Sequence, residues 1–327
     1  MSEPITGVAV IICSYSEARW NDLVRAVESI QRQTHPAQDL IVVVDHSPTL
    51  LQRVRHEIPG VRAVENREAP GLSGARNTGL TSTDASVIAF LDDDAAAAPD
   101  WLDRLMAGYR DERVLGVGGA VEPVWQAGRP AWFPSEFDWV VGCSYAGLPE
   151  AAGAVRNLLG CNMSFRREVF ERVGGFRIGI GRIGAYPVGC EETEMCIRAT
   201  HAWPDRIFLY DPMARVSHHV PKNRGTWEYY RSRCYGEGLS KALVAQFVGT
   251  ADGLASERRH ALRTLPRAVG RDLVDIARRG DVAGLGRAGA ILAGVGFVIA
   301  GFLAGRGAQR NRAVPAVVEL HPDGGGG

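Results

Sequence analysis

The stretch VIAFLDDDAAAAPDWL, Val87 to Leu102, decides the fold. Val87 to Leu91 form an apolar run of strand length, and Asp92, Asp93 and Asp94 follow where that strand must leave the core. Carboxylates about 4 Å apart repel by roughly 4 kcal/mol at an effective dielectric near 20. Either a cation relieves that repulsion, or the triplet is a solvated acidic turn ahead of a helix starting near Pro99.

Working outward, GVAVIICSY predicts a buried strand, WNDLVRAVESIQRQ a helix, DLIVVVDHS a second strand, LLQRVRHEI a second helix and VRAVEN a short third strand. Alternation of this kind gives a mainly parallel sheet covered on both faces, with ligands bound beyond the carboxyl ends of the strands. The polar residues at those ends are Ser14 to Glu17, Asp45 to Ser47, and Asp92 to Asp94. Further on, VWQAGRPAWFPSEFDWVVG has no period and is expected to close over a site, line an acceptor groove or lie on the surface. NLLGCNMSF reads as a strand, RREVFERV as a helix stopped by GGF, and the glycine-rich RIGIGRIGAYPVG as a mobile loop. Gly179, Gly181 and Gly184 satisfy GxGxxG there, but outside a βαβ unit that pattern is weak. CEETEMCIRATHAW predicts a helix with Glu191, Glu192 and Glu194 in its first turn, RIFLYDP and ARVSHHVP two strands, and TWEYYRSRCYGEGLSKALVAQF a helix.

Lysine plus arginine equals aspartate plus glutamate at 37 each, so no overall field favours nucleic acid. Charge is uneven, however: Ser256 to Arg287 holds eight arginines against four acids. Ala288 to Gly305 follows as eighteen uncharged residues, about 27 Å long as a helix against a hydrocarbon core of about 30 Å. Its five glycines weaken insertion, so a spanning segment and a surface or partner-packed helix both stay open. Basic flanks on either side suit anionic lipid at a cytoplasmic face. The six cysteines are scattered and are expected to be reduced and apolar in role, and the N-terminal MSEPITG is not the start of a signal peptide.

CSYSE, VDHS, GLSGARNTGL, FLDDD, GCNMSFRREVFERVGGF, GCEETEMCIR and VSHHVP occur in that order. The set resembles a bacterial family 2 glycosyltransferase of the GT-A fold, over roughly Val8 to Ala245. The resemblance implies a Rossmann-like α/β domain with a nucleotide-sugar half over 1–125, an acceptor and catalytic-base half over 126–245, and a helical, membrane-associated tail over 246–327 ending in a disordered C-terminus. It implies an inverting enzyme that moves a sugar from a nucleotide-diphosphate sugar to a hydroxyl of a glycan or lipid-linked acceptor, at the cytoplasmic face of the cell membrane. The alternative is a non-catalytic nucleotide- or sugar-binding relative.

By residue, the acidic triplet corresponds to a DxD motif: Asp92 and Asp93 on the donor, and Asp94 with His218 on a Mg²⁺ or Mn²⁺ ion that neutralises the departing diphosphate. His219 is the fallback ligand. Tyr15, Glu17 and Asp45 match positions that hold base and ribose. Arg76 meets phosphate or forms a structural ion pair with the acids. Glu192 is expected to be the general base, with Glu191 second, and Arg198 to orient that pair.

Overall fold

The computed structural model describes residues 5–182, 188–249 and 260–310. One nine-stranded sheet organises it, in the order β3-β2-β1-β4-β8-β6-β9-β5 with β7 beside β9. Its strands are β1 (Val8–Ser14), β2 (Asp39–Val44), β3 (Arg62–Glu65), β4 (Val87–Asp92), β5 (Ala95–Ala97), β6 (Val114–Trp125), β7 (Gly153–Val155), β8 (Asn162–Arg166) and β9 (Ile207–Val220). β1, β2, β3, β4, β6 and β9 run one way and β5, β7 and β8 the other, which is the mixed, mainly parallel sheet that the alternating pattern predicts. The sheet continues through residue 125, so the two expected halves share one core.

The helices are α1 (Trp20–Gln31), α2 (Pro48–Glu57), α3 (Leu72–Leu80), α4 (Trp101–Gly108), α5 (Arg167–Val173), α6 (Glu191–Ala202), α7 (Trp227–Val248), α8 (Leu265–Arg279) and α9 (Ala283–Arg310). α1 shows why such segments are helical. Leu23, Ala26, Val27 and Ile30 recur at helical spacing and are all buried against the sheet, while its remaining positions are mostly polar. Trp101 of α4 is fully buried and donates its indole N–H to Asn162 Oδ1 at 2.8 Å, a core role rather than a sugar platform.

Register places the site. Parallel pairing sets Ser14 opposite Val44 and Cys13 opposite Asp92, so β1, β2 and β4 end at one level and deliver Ser14, Asp45 and Asp92 to the same edge. Antiparallel pairing of β4 with β8 sets Leu91 opposite Asn162, which brings Cys161 beside Asp92. β5 sets Ala95 opposite His218.

Three expectations need correction. The aromatic stretch over 126–142 is neither a lid nor a surface loop. Phe133, Phe137, Val140 and Val141 are buried, and Phe133 and Phe137 pack on Tyr230 of α7 with ring centroids 5.3 and 5.5 Å apart. RIFLYDP and ARVSHHVP form one strand, β9, because the register shift between Gly119 and Val121 of β6 absorbs Pro212 as an irregularity rather than a break. Of the glycine-rich loop, residues 183–187 lie outside the described residues, as does the expected C-terminal disorder over 311–327; the described part is tied to α3 by Leu72 N–H to Arg182 O (2.9 Å) and Ser73 Oγ to Ile180 O (2.5 Å).

The apolar segment 288–305 lies within α9, long and apolar enough to cross a membrane with a mean hydropathy of 2.1 over Ala283–Ala308. It lies along α7, in parallel. A Cβ on Gly301 would sit 2.1 Å from Tyr235 O, and one on Gly238 would sit 2.1 Å from Val298 O, so the two backbones touch where glycine permits it. α7 carries Glu228, Arg231, Glu237 and Lys241 along this length, so α9 runs beside a water-compatible helix rather than away from the domain. The opposite side of α9 stays open, with Leu285, Leu292, Ile299 and Leu303 all more than half exposed.

Candidate functional site

A cavity of about 950 Å³ opens at the carboxyl ends of β1, β2 and β4. Tyr15, Asp45, Arg76, Asp92, Asp93, Asp94, Glu191, Glu192 and His218 all line it. Glu17 does not: it is exposed in a short 3₁₀ turn, and Arg19 from the same turn faces inward instead.

The carboxylates of the acidic triplet separate into three environments, which answers the repulsion between them. Asp93 is buried and accepts from Ser14 Oγ at 2.7 Å and Arg19 Nη1 at 2.8 Å. Burial pushes its carboxyl up to about 6 against the pull of Arg19. Asp94 is also buried, with Oδ1 3.1 Å from His218 Nε2 and Oδ2 3.3 Å from Arg19 and 3.2 Å from Arg224. Burial alone raises such an acid, but His218, Arg224 and Arg19 outweigh it and hold Asp94 well below the usual carboxylate range. Asp92 is the more open of the three, 3.5 Å from Arg76 Nη2.

Arg76 links this cluster to the acidic pair. Its guanidinium is almost fully buried on the helix α3, donating to Glu191 at 2.7 Å and to Gly160 O at 2.9 Å, between the rings of Phe90 and Phe176. Pinned in this way it is an ion-pair bridge, and the phosphate reading has no geometric support. Glu191 is committed to Arg76. Glu192 is partly open to the cavity, and burial followed by the charge of Glu191 pushes its carboxyl up to about 7. Cys190, which precedes them, holds φ at +72°, a left-handed turn that starts α6 and sets the direction of both carboxylates. Arg198 pairs with Glu194 at 2.9 Å and not with Glu191 or Glu192, because i to i+4 spacing from Arg198 reaches back to Glu194.

Asp45 is braced from several sides: Asn66 Nδ2 donates to Oδ1 at 2.6 Å, Gly71 N–H to Oδ2 at 2.8 Å, and His46 Nδ1 lies 2.8 Å from Oδ1. Of the two histidines, His218 faces the cavity, while His219 turns away to Asp22 with Nδ1 2.9 Å from Oδ1. Of the tryptophans, Trp139 lines the cavity, whereas Trp125 and Trp132 belong to the aromatic layer with Phe133.

Asp92, Cys161 and His218 place one ligand atom each within 4.8 Å of one another, and Asp94 touches His218. Carboxylate oxygens and an imidazole suit a divalent cation of the Mg²⁺ and Mn²⁺ class. Burial pushes the Cys161 thiol well above its ordinary value, which leaves it a neutral neighbour rather than a thiolate. The sequence reading missed Cys161, Arg19 and Arg224. Only the first carried a signal, its place just ahead of a strand that must pair with β4.

The model of "Glycosyl transferase family 2" matches residues 9–174. The glucosyl-dolichyl phosphate glucuronosyltransferase of Haloferax volcanii is 36% identical over 241 residues, covering 72% of this chain and 77% of the relative. The succinoglycan biosynthesis protein ExoM of Rhizobium meliloti is 25% identical over 261 residues, covering 77% and 76%. Among solved structures, a mannosyltransferase of Pyrobaculum calidifontis in complex with GDP-Man and Mn²⁺ has a TM-score of 0.54 at 18% identity, over 89% of both chains. GalNAc-T7 with UDP, GalNAc and Mn²⁺ has a TM-score of 0.51 at 18% identity, over 75% of this chain and 48% of that one. The sheet described above is shared with these glycosyltransferases and is the GT-A fold.

Proposed function

The chain belongs to glycosyl transferase family 2, and from that premise we propose that it is an inverting, metal-dependent enzyme that moves a sugar from a nucleotide-diphosphate sugar to a hydroxyl of a lipid-linked acceptor at a membrane surface. The observation that carries this reading is the opposition, across one cavity, of the Asp92–Asp94 cluster with His218 and the half-open Glu192. The Mn²⁺ named for both structural neighbours and the dolichyl phosphate in the name of the Haloferax relative support the cofactor class and the acceptor class.

Asp92, Asp94 and His218 would hold the cation, which when bound neutralises charge on the leaving diphosphate. Tyr15 and Asp45, at the outer ends of β1 and β2, line the end of the cavity suited to nucleoside. Arg76 holds Glu191 and the neighbouring Asp92 at a fixed separation, which keeps the donor and base ends of the site in register. Glu192 Oε removes the acceptor hydroxyl's proton. With its carboxyl near 7, it is partly ionised at neutral pH and strong enough to accept that proton, the compromise that general-base catalysis favours. Attack from the Glu192 side, opposite the acidic cluster, displaces the diphosphate with inversion.

The tail supports a location at the bilayer surface. α9 lies on the domain with one apolar side outward, flanked by Arg287 and Arg306, an arrangement suited to lying in the interface of an anionic cytoplasmic leaflet. NMR of the transferred sugar's anomeric proton tests the reaction: inversion of the donor's configuration supports it, and retention sinks the single-displacement scheme.

A further inference from the structure

Beyond the acidic cluster the cavity continues to a second wall whose chemistry the transfer of a sugar does not itself require. Arg233, Glu237 and Lys241 recur every four residues on α7, so they share one helix face, and all three line the cavity together with Arg182. Arg233 is 9% exposed and Lys241 6% exposed. This face is fixed against the start of α6: Lys241 Nζ lies 3.1 Å from Glu237 Oε1, Cys190 Sγ lies 3.5 Å from the same oxygen, and Ser240 Oγ accepts the Gly189 N–H at 3.0 Å. Glu191 and Glu192 begin directly after these contacts. Three cations therefore meet the single carboxylate of Glu237 on this wall, whereas in the donor half Arg19, Arg76 and Arg224 each end on an acid of the site.

Beside the cations the wall becomes apolar. Val295, Val298 and Ile299 of α9 and Leu265 of α8 complete it. Ile299 lines the cavity and is also more than half exposed, on the side of α9 that carries Leu292 and Leu303. An anion site thus adjoins an apolar strip that is continuous with the outer surface. A nucleoside diphosphate has no use for the strip, and a free glycan has no use for either.

We propose that Arg182, Arg233 and Lys241 form the subsite for the phosphate of a lipid-linked acceptor, with the first units of its hydrocarbon chain running over Val295, Val298 and Ile299 to the bilayer. The assignment rests on the glycosyltransferase reading and names the acceptor class for that same cavity. The phosphate sits on the Glu192 side of the cavity, which leaves the acceptor's sugar hydroxyl facing the base. The donor's diphosphate occupies the other side, at Asp92 and Asp94.

The test is calorimetric titration of the full chain, in non-ionic detergent, with farnesyl phosphate, farnesol, inorganic phosphate, and UDP with Mn²⁺. Farnesyl phosphate binds the wild type and farnesol binds far more weakly. Lys241→Met and Arg233→Met each lower farnesyl phosphate affinity about 10- to 100-fold, the scale of a lost charge-assisted hydrogen bond, while Lys241→Arg retains it. Ile299→Ser weakens farnesyl phosphate but leaves competition by inorganic phosphate unchanged, which separates chain from headgroup. UDP–Mn²⁺ binds Lys241→Met as it binds wild type. Equal farnesyl phosphate affinity in wild type and both methionine variants overturns the assignment, as does a parallel loss of UDP–Mn²⁺, which gives the cations to the donor's diphosphate. Binding of UDP–Mn²⁺ without farnesyl phosphate sinks the acceptor subsite alone, and absence of UDP–Mn²⁺ binding to the wild type sinks the donor reading beneath it. The wild-type comparison of farnesyl phosphate with farnesol stands even if a variant fails to fold.

Discussion

Replacing Arg76 by methionine removes the one cation that reaches both acidic ends of the site and leaves Glu191, only 4% exposed, without its partner at 2.7 Å. At that distance and an effective dielectric near 20 the gross attraction is about 6 kcal/mol, and the bond to Gly160 O adds about 1 kcal/mol. Since desolvation of the guanidinium is relieved by the substitution, the expected net loss is about 3–5 kcal/mol, the scale found when a buried pair is broken from one side. Urea unfolding followed by tryptophan fluorescence at neutral pH measures it. The sharper test is the cycle with Glu191→Gln. If Arg76 acts through the pair, the double variant Arg76→Met with Glu191→Gln recovers about 2 kcal/mol or more relative to the sum of the singles, because no bare carboxylate remains. Additivity within about 0.5 kcal/mol refutes the reasoning and makes Arg76 a packing residue held by Phe90 and Phe176.

Glu192→Gln lowers kcat by about 10²- to 10⁴-fold with the donor KM unchanged. The wild-type rate climbs as pH rises through about 7, because the base acts only when deprotonated, and this limb is absent from the variant's pH profile; since Glu191 and Glu192 interact, the apparent value belongs to the pair. Cys190→Gly keeps kcat and melting temperature, since φ at +72° suits glycine, whereas Cys190→Val costs about 1–2 kcal/mol and lowers kcat by misdirecting Glu192. Gly301→Val drives a side chain into Tyr235 O and costs about 1–3 kcal/mol, seen as a lower melting temperature and easier proteolytic release of α9; Gly289→Val, whose Cβ meets nothing within 4 Å, leaves both unchanged.

The parallel half of the sheet was readable because β1, β2 and β4 are continuous apolar runs of strand length ending in polar residues, a pattern with few alternative folds. The acidic triplet was readable for the same reason: an unrelieved cluster at a strand end is costly unless its surroundings are specialised. The relief was not readable. Arg224 and His218 reach Asp94 from more than 120 residues away, through the pairing of β5 with β9, and local pattern carries no trace of that register. Cys161 stands beside Asp92 only because β8 runs antiparallel to β4. The aromatic stretch over 126–142 lacked a period because its burial comes from Tyr230 of α7 and from α9, which cover it from later in the chain. For the apolar tail, hydropathy alone left spanning and packed helices equivalent; the contacts of Gly238 and Gly301 distinguish them.

The central claim, a cation-dependent nucleotide-sugar site at Asp92, Asp94 and His218, is tested most directly by thermal shift with UDP, GDP, dTDP and CDP, each with and without Mn²⁺. One nucleotide at a hundred times its dissociation constant should stabilise the protein by about 2.7 kcal/mol, only with Mn²⁺ present, and the shift should vanish in His218→Ala. A shift of the same size without Mn²⁺, or one that survives His218→Ala, contradicts the account.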